Sequence, residues 1–338
     1  MSEKILIVGF GSIGKRHLRI ARELLPEAEI KVLRHQKCSS IPENSNGCFS
    51  TIQEAVAFGP KLAVIANPAT FHMSIAQPLA EIGTNLLIEK PLSTTTDGVS
   101  TLIETCFNHN SILMTGYNLR FLPSLRRFQE LLIDNRIGKI LSVRCEVGQN
   151  LESWRPGSSY QNSVSARKDL GGGALFELSH EIDYLRWIFG EVDWVKALLS
   201  TQSNLDVDVE DTVHTILGFN SEYDDTELIG TLNIDFIRHD KTRLCTAIGE
   251  NGSIRWDGVT GKIDVFEKGA QEWREIFQYD QQRDETYISE WRHFIDCVNM
   301  HKAPLISGED GLIALNIINA IRQSSEYGDK VKVIKNLY

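Results

Sequence analysis

One lysine stands at a position in the sequence where it could act on a bound small molecule. Lys90 follows the apolar residues 86–88 and Glu89, and it precedes Pro91 in the stretch LLIEKPLS. Pro91 fixes its own φ and biases the preceding residue toward an extended conformation. We therefore expect Lys90 to be held at the end of a buried strand and to face a ligand. A lysine paired with Glu89 or with solvent would show the same local pattern.

A histidine offers the complementary chemistry. His180 lies in the segment GGGALFELSHEIDYLRW at residues 171–187. If this segment forms one helix, Glu177, His180 and Tyr184 lie opposite its apolar stripe, and the preceding glycines allow backbone to approach a ligand. An imidazole exchanges a proton near neutral pH, and a lysine ammonium stabilises negative charge on an oxygen. Oxidation of a secondary alcohol requires both groups. A solvated polar face is the alternative interpretation of the helix.

A glycine-rich turn near the N-terminus predicts a dinucleotide site. The stretch VGFGSIGKRH places Gly9, Gly11 and Gly14 directly after a predicted strand and at the start of a predicted helix. This is the context in which G-x-G-x-x-G binds a pyrophosphate against backbone N–H groups and the positive end of a helix. The same turn contains Ser12 and Ile13, which we also expect beside the cofactor.

The end of the second predicted strand bears on the choice between NAD and NADP. An NAD site usually places a carboxylate there for the ribose 2′-hydroxyl, but the sequence reads Leu33-Arg34-His35. An arginine at this position suits a 2′-phosphate and can stack on adenine. The pattern therefore favours NADP over NAD. In the alternative, Arg34 is solvated and other contacts hold NAD.

Candidate substrate residues follow a later strand and a later loop. Tyr117, Asn118 and Arg120 come directly after the predicted strand ILMTG at residues 112–116, so we expect them at the same edge as Lys90. Trp154 and Arg155 lie in an irregular stretch before the His180 segment. Arginine there would suit a carboxylate or phosphate. A turn with a packed indole is the equally weighted alternative.

The elements that must position these groups form two patterns. Short apolar runs at 4–8, 29–33, 62–66, 86–89 and 112–116 alternate with helical segments, which predicts an α/β domain with a parallel sheet. After about residue 120, strands such as 140–147 and 231–237 alternate apolar and polar residues, which predicts an α+β domain on a mostly antiparallel sheet. Helices are predicted at 285–300 and 309–324, and a last strand at 331–334. We place the domains at 1–120 and 121–338.

Composition excludes several classes of function. The 338 residues carry 35 Lys and Arg against 45 Asp and Glu, and the net charge of -10 disfavours nucleic acid and anionic membranes. No apolar run approaches the roughly 18 residues of a membrane span, and the N-terminus lacks a signal-peptide pattern. The histidines and six cysteines show no metal-ligand or C-x-x-C spacing, so we expect no metal, reduced thiols and a cytoplasmic location.

The ordered segments AVIANPATFH, LLIEKPLS, MTGYNLRF and GGGALFELSHEIDYLRW resemble the Gfo/Idh/MocA oxidoreductase family along nearly the whole chain. The resemblance implies a Rossmann domain followed by an open-sheet domain, with nicotinamide and substrate meeting between them, and a homo-oligomer, either dimer or tetramer. It also implies roles for individual residues. Asn67, Pro68, His72 and Glu89 would lie beside the cofactor, Lys90 would face nicotinamide and substrate, and His180 would transfer the proton. Asp183 would be a second acidic position, in contact with the substrate.

One position departs from the family pattern. Many members carry an aspartate four residues before the histidine, where this chain has Phe176. Glu177, three residues before His180, lies on the same face of an ideal helix and has the longer reach, so we expect it to replace the aspartate.

The sequence therefore favours an NAD(P)-dependent oxidoreductase that acts on a sugar, nucleotide-sugar or cyclitol. One alternative is an enzyme that retains its cofactor and uses transient redox to cleave a glycosidic bond or exchange hydride between sugars. The other is a cofactor-sensing regulator without turnover.

Overall fold

The protein is described by a computed structural model at residues 3–35, 40–154, 159–220 and 227–334. The chain divides into two compact units, which we treat separately. The first unit consists mainly of Met1–Asn118 and Thr286–Leu315. The second consists of Leu119–Glu285 and Asn316–Lys335.

The first unit is built on a parallel sheet, as the sequence predicted. Its strands in the described residues are β1 (Lys4–Val8), β2 (Glu29–Leu33), β3 (Cys48–Phe49), β4 (Leu62–Ile65), β5 (Asn85–Glu89) and β6 (Leu113–Gly116). They pair in the order β3-β2-β1-β4-β5-β6, and every pair is parallel. The order reverses between β1 and β4, so this is the Rossmann arrangement, whose ligands bind outside the carboxyl ends of the strands.

Helices α1 (Ser12–Leu24), α2 (Ile52–Phe58), α3 (His72–Ala80) and α4 (Val99–Asn108) connect these strands. The sheet residues are buried on both faces, as the continuous apolar runs of β1, β4 and β5 require. Local sequence also sets helix ends. Thr51 and Glu54 form a reciprocal capping box at the start of α2, and Gly59 ends that helix in the left-handed conformation.

The second unit contains a larger mixed sheet. Its described strands are β7 (Ile140–Gly148), β8 (Val192–Ser200), β9 (Thr212–Phe219), β10 (Leu228–Asp235), β11 (Thr242–Gly249), β12 (Gly252–Asp257), β13 (Lys262–Glu267), β14 (Arg274–Gln278) and β15 (Val331–Lys332). They pair in the order β14-β13-β12-β11-β7-β10-β9-β8-β15. Only β7 and β10 pair in parallel among these described strands, which confirms the expected mostly antiparallel sheet.

The predicted alternation holds in β10 but fails at one end of β7. In β10, Leu232 and Ile234 are at most 1% exposed and Asn233 between them is exposed. In β7 the sequence placed Leu141 on the buried face, yet its side chain is 53% exposed. The pairing of β7 with β11 shifts register beside this residue, and such a bulge breaks the two-residue repeat.

The helices of the second unit are α5 (Pro123–Ile133), α6 (Leu151–Trp154), α7 (Ala174–Glu177) and α8 (His180–Phe189). The single helix predicted around His180 is therefore wrong, because α7 and α8 are separated at residues 178–179. The predicted polar face is also wrong at Tyr184. This side chain is fully buried and its hydroxyl lies 3.0 Å from Cys145 Sγ.

Two long helices complete the described chain, α9 (Glu285–Met300) and α10 (Gly308–Tyr327). From Thr286 onward α9 belongs to the first unit, although the sequence division assigned it to the second domain. The side-chain amide of Asn118 donates to Thr286 Oγ1 at 3.0 Å, and Thr115 N–H donates to the Ile306 carbonyl at 3.0 Å. The first unit is thus completed by a segment far away in sequence.

Four cysteines in the described chain are buried free thiols: Cys106, Cys145, Cys245 and Cys297. Cys48 differs, because it takes part in a disulfide bond, which corrects the expectation of reduced thiols at this position. In the part of the chain that the structure describes, none of the helices combines the length and apolarity needed to cross a bilayer.

Candidate active site at the carboxyl edge of the parallel sheet

The glycine-rich turn after β1 has the shape that a bound diphosphate requires. Gly9 has a φ of +90°, and a Cβ there would lie 2.7 Å from the Ala66 carbonyl oxygen. A Cβ on Gly14 would lie 2.3 Å from the Gly9 carbonyl oxygen, whereas Gly11 has open space around it. Gly9 and Gly14 therefore allow close packing of the turn, and Gly11 leaves room for a ligand.

The N-terminus of α1 adds the charge pattern that phosphates need. Gly11 is the N-cap residue, no side chain caps the helix and its first turn contains no acidic residue. Uncapped N–H groups and the helix dipole favour an anion at this point. Ser12 is exposed at the same turn and Ile13 is half-buried. The residues present thus fit the diphosphate of a dinucleotide.

Basic side chains gather around Phe10 in the same turn. The Arg34 guanidinium carbon lies 5.0 Å from the centre of the Phe10 ring, and Lys15 Nζ lies 5.1 Å from it. Arg34 directly follows β2, and its backbone N–H donates to the Phe49 carbonyl at 3.0 Å. His35 is exposed beside it. The end of β2 therefore presents positive charge, as the sequence predicted.

The loop after β4 holds Asn67, Pro68 and His72. The His72 ring is 1% exposed, and its Nε2 and Nδ1 lie 2.8 and 3.2 Å from the carbonyl oxygens of Asn67 and Leu92. Burial lowers the pKa of His72, although the hydrogen bonds to these carbonyls oppose the shift. His72 therefore ties the loop after β4 to the loop after β5. Asn67 Oδ1 is buried with no hydrogen-bond partner among the described residues, so it offers an acceptor at this edge.

The predicted catalytic lysine lies at the carboxyl end of the neighbouring strand. Glu89 is the last residue of β5, and the Lys90–Pro91 peptide bond that follows is cis. One Glu89 oxygen, Oε2, accepts the Lys90 backbone N–H at 3.2 Å, and the other, Oε1, lies 2.8 Å from His17 Nε2. Burial raises the pKa of Glu89, but opposing effects, of which the His17 hydrogen bond is the largest, outweigh it, and the pKa is lowered.

Sequence reasoning missed three residues near Glu89: His17, which is hydrogen-bonded to it, Glu290, whose carboxylate lies within 4.8 Å, and Trp291, which donates to His17. His17 lies three residues after Gly14 in α1, and the other two lie in α9. All three side chains are 0% exposed. A polar residue on a buried helix face was the available signal for His17, but no local pattern connects it with α9.

Tyr117 and Asn118 follow β6 at the same edge. Tyr117 is fully buried, and the Asn118 amide is used by Thr286. The structure thus shows Asn118 in a contact with α9, and a substrate role for these two residues remains a prediction.

In the second unit, His180 begins α8 and Glu177 ends α7, and both are half-buried. The upstream glycines have a contact that the sequence did not suggest. Gly173 has a φ of +109°, and a Cβ there would lie 2.4 Å from the Glu210 carboxylate. That carboxylate accepts the Leu175 N–H at 3.0 Å, and burial raises the pKa of Glu210. Gly173 therefore admits a side chain of the protein itself.

The structure brings together two of the predicted substrate residues. Arg120 Nε and Nη2 donate to Asp183 Oδ2 and Oδ1 at 2.9 and 2.6 Å, and both side chains are buried. Trp154 packs edge to face on Phe236 with ring centres 5.3 Å apart. Arg155 lies outside the described residues.

The sequence matches two family models along most of its length. Residues 3–117 match "Oxidoreductase family, NAD-binding Rossmann fold", and residues 129–333 match "Oxidoreductase family, C-terminal alpha/beta domain" of the Gfo/Idh/MocA group.

Individual relatives agree with these matches. The chain is 23% identical over 296 residues to D-xylose 1-dehydrogenase [NADP(+)] of Haloarcula marismortui, covering 80% of this chain and 73% of that one. It is 27% identical over 284 residues to myo-inositol 2-dehydrogenase of Thermotoga maritima, covering 80% and 79%. The fold is similar to levoglucosan dehydrogenase in complex with NADH and L-sorbose, with a TM-score of 0.85, 22% identity and 99% of each chain covered. The chain therefore belongs to the Gfo/Idh/MocA family of NAD(P)-dependent oxidoreductases.

Proposed function

We propose that this protein transfers hydride between a nicotinamide cofactor and a carbinol carbon of a sugar or cyclitol. The observation that carries the proposal is the position of Lys90. It follows β5 directly at the carboxyl edge of the sheet, where β1 ends in the glycine turn and β4 ends before Asn67. Ligands of open α/β sheets bind at this edge. Bound NAD(P) supplies the hydride acceptor or donor.

In this proposal the chain supplies orientation and proton transfer. The Lys90 ammonium binds the reacting oxygen and stabilises its negative charge. His180 accepts the hydroxyl proton during oxidation and returns it during reduction. Glu177 takes the place of the aspartate that other family members carry, and it orients His180. Asp183 is assigned instead to the buried pair with Arg120, which holds the start of α8.

NADP is the proposed cofactor. Three observations support this choice: the cation at the end of β2, the absence of a carboxylate at Arg34 and His35, and the second cation, Lys15, at the same phenylalanine ring. The named relatives differ on this point, since one name specifies NADP(+) and the solved complex contains NADH. The proposal of NADP therefore rests on the positively charged side chains of this protein at the end of β2 and beside Phe10.

The decisive experiment compares Lys90→Ala and His180→Ala with a matched lysine variant. Lys61 precedes β4 at the amino edge of the same sheet and pairs with Glu3 at 2.5 Å, so Lys61→Ala serves as the control. Each protein is screened for reduction of NADP and NAD with sugars, sugar acids and cyclitols. We expect losses of roughly 10²-fold or more in kcat for the two site variants and none for the control.

The proposal fails if both site variants keep full turnover while cofactor still binds. A wild-type protein that binds cofactor tightly without net turnover would instead indicate transient redox with a retained cofactor. Absence of cofactor binding would indicate a regulator.

We also propose that the chain forms a homo-oligomer through one face of its mixed sheet. Leu198, Ile216 and Ile229 lie on consecutive strands β8, β9 and β10 and are 56%, 41% and 44% exposed. Their register places them on one face, because Ile216 opposes Thr231, and Leu198 opposes His214. Apolar side chains gathered on an otherwise polar face are typical of a surface that a second copy covers.

A further inference from the structure

A buried chain of hydrogen bonds leads from α9 to the backbone of Lys90. Trp291 Nε1 donates to His17 Nδ1 at 2.9 Å, and His17 Nε2 lies 2.8 Å from Glu89 Oε1. Glu89 Oε2 then accepts the Lys90 N–H at 3.2 Å. Trp291 and His17 are 0% exposed and Glu89 is 8% exposed. The chain links three elements, α9, α1 and β5, that are distant in sequence.

The donor and the acceptor of each of these hydrogen bonds follow from the chemistry of the groups. An indole nitrogen can only donate, so His17 Nδ1 must carry a lone pair. The imidazole is therefore neutral, with its hydrogen on Nε2, and it donates to Glu89. Glu89 must accept at both oxygens, which an ionised carboxylate does. Trp291 thus sets the tautomer of His17, and His17 sets the orientation of the Glu89 carboxylate.

The surroundings of the chain support this assignment over a metal site. Ligand atoms of His17, Glu89 and Glu290 lie within 4.8 Å of one another, a spacing that a cation could use. Both His17 nitrogens are already used, however, and only deprotonation would free Nε2 for a metal. Burial, followed by the Glu89 charge, raises the pKa of Glu290 well above its ordinary value, which favours the protonated form of this neighbour over a metal-binding carboxylate. Tyr287 contacts the His17 ring edge to face at 5.6 Å, and Arg16 covers Tyr287 at 4.7 Å.

We propose that Trp291 and His17 are positioning residues for Lys90, acting through Glu89. The inference rests on the proposed function, because that function assigns the chemistry to Lys90. A lysine side chain is flexible, so the site depends on where its backbone is held. Misplacement of a reacting group by 1 Å costs roughly 10²-fold in rate. The same His17 belongs to α1, whose N-terminus forms the phosphate-binding turn, and it therefore fixes β5 relative to that turn.

The test is a double-mutant cycle between Trp291→Phe and Lys90→Ala. Phenylalanine retains most of the ring packing and removes the N–H donor. We expect Trp291→Phe to lower kcat about tenfold, with cofactor affinity within about twofold of wild type. In the Lys90→Ala background we expect no further loss, because a residue that acts through Lys90 has nothing left to position.

Trp256→Phe is the matched control. Its indole is also fully buried and donates to Ser124 Oγ at 3.0 Å, but it belongs to the second unit and takes no part in these hydrogen bonds. We expect Trp256→Phe to lose about as much thermal stability as Trp291→Phe and to keep the wild-type kcat. An unchanged kcat in Trp291→Phe, or losses that add fully in the double variant, would overturn the positioning role.

A measurement that needs no turnover separates this inference from the proposed function. Nitrogen-15 NMR of the histidine rings should show His17 as the Nε2–H tautomer in wild type and a mixture of tautomers in Trp291→Phe. If Lys90→Ala keeps full turnover, the proposed function fails and the positioning role fails with it. If Lys90→Ala is inactive but the His17 signals are those of Nδ1–H, only the inference is overturned.

Discussion

Arg120 and Asp183 form a bidentate ion pair that is almost completely shielded from water. Two parallel bonds of 2.9 and 2.6 Å join the guanidinium to the carboxylate, and the side chains are 4% and 1% exposed. Trp187 covers the guanidinium at 5.7 Å. Such a pair fixes the short 3-10 helix Asn118–Phe121, which follows β6, to α8, which begins with His180.

Removing one member of this pair should strongly destabilise the second unit. Asp183→Asn leaves a buried guanidinium without its counter-charge, and we expect a loss of about 3 to 5 kcal/mol in the free energy of unfolding. Urea denaturation measures it. Glu130→Gln, which breaks the exposed pair with Arg127, should change stability by less than about 0.5 kcal/mol. An Asp183→Asn protein of wild-type stability with a raised substrate KM would instead assign Asp183 to the substrate.

The glycine turn permits a separation of folding from cofactor binding. A Cβ on Gly11 meets no heavy atom within 4 Å, whereas one on Gly14 meets backbone at 2.3 Å. We expect Gly11→Ala to keep the wild-type melting temperature and to lose cofactor affinity at least tenfold, because the methyl group occupies the diphosphate position. Gly14→Ala should lose stability as well. Thermal scans and fluorescence titration with NADPH give both values, and normal affinity in Gly11→Ala would place the diphosphate elsewhere.

Sequence patterns sufficed where neighbouring residues decide the structure. The apolar runs of β1, β4 and β5 are buried on both faces, so their assignment as parallel strands needed no distant information. Lys90 could be placed at a strand end for the same reason. The helical period also located α9 at its observed bounds.

The patterns failed where distant contacts decide the structure. Tyr184 has a polar hydroxyl and was assigned to an exposed face, but Cys145 on β7 provides a buried partner for it. The glycines before α7 suggested an approach of backbone to a ligand, but at Gly173 the Glu210 carboxylate occupies the space. Trp291 and His17 are 274 positions apart, and periodicity within a helix carries no information about such a pair.

The cofactor preference should depend on Arg34. A charge-assisted hydrogen bond to a 2′-phosphate is worth about 1.5 to 3 kcal/mol, so Arg34→Ala should weaken NADPH binding by roughly 10- to 100-fold. Affinity for NADH should change little, because NADH lacks that phosphate. Titration with both cofactors measures the ratio. Arg19→Ala, an exposed arginine on α1 paired with Glu23, controls for the loss of net charge. Equal weakening of both cofactors would contradict the NADP assignment.

The exposed face of the mixed sheet should mediate assembly. Replacing Ile216 and Ile229 with glutamate places like charges on both sides of a self-complementary interface, and repulsion plus desolvation should dissociate it. Light scattering after gel filtration should show the mass of one chain for the double variant and a multiple for wild type. Phe107→Glu, at a 79% exposed position on α4, should leave the mass unchanged. A monomeric wild-type protein would contradict the proposal.

Glu290 should make the free energy of unfolding decline as the pH rises. Substitution by glutamine should remove this contribution. Burial, followed by the charge of Glu89, raises the pKa of Glu290 well above that of an exposed glutamate. The folded protein therefore retains a proton that the unfolded chain releases above about pH 4.5, so this contribution to stability declines as the pH rises toward the folded pKa. Glutamine has the shape of the protonated acid and no proton to lose.

We therefore expect Glu290→Gln to be more stable than wild type near neutral pH, with a difference that grows as the pH is raised from 5 to 8. Urea denaturation across this range measures it. Glu104→Gln, at an exposed position on α4, provides the control for loss of a carboxylate and should show no such trend. A difference that stays constant from pH 5 to 8 would mean that Glu290 is already ionised in the folded protein, and a cation shared with Glu89 would then become the better explanation of the cluster.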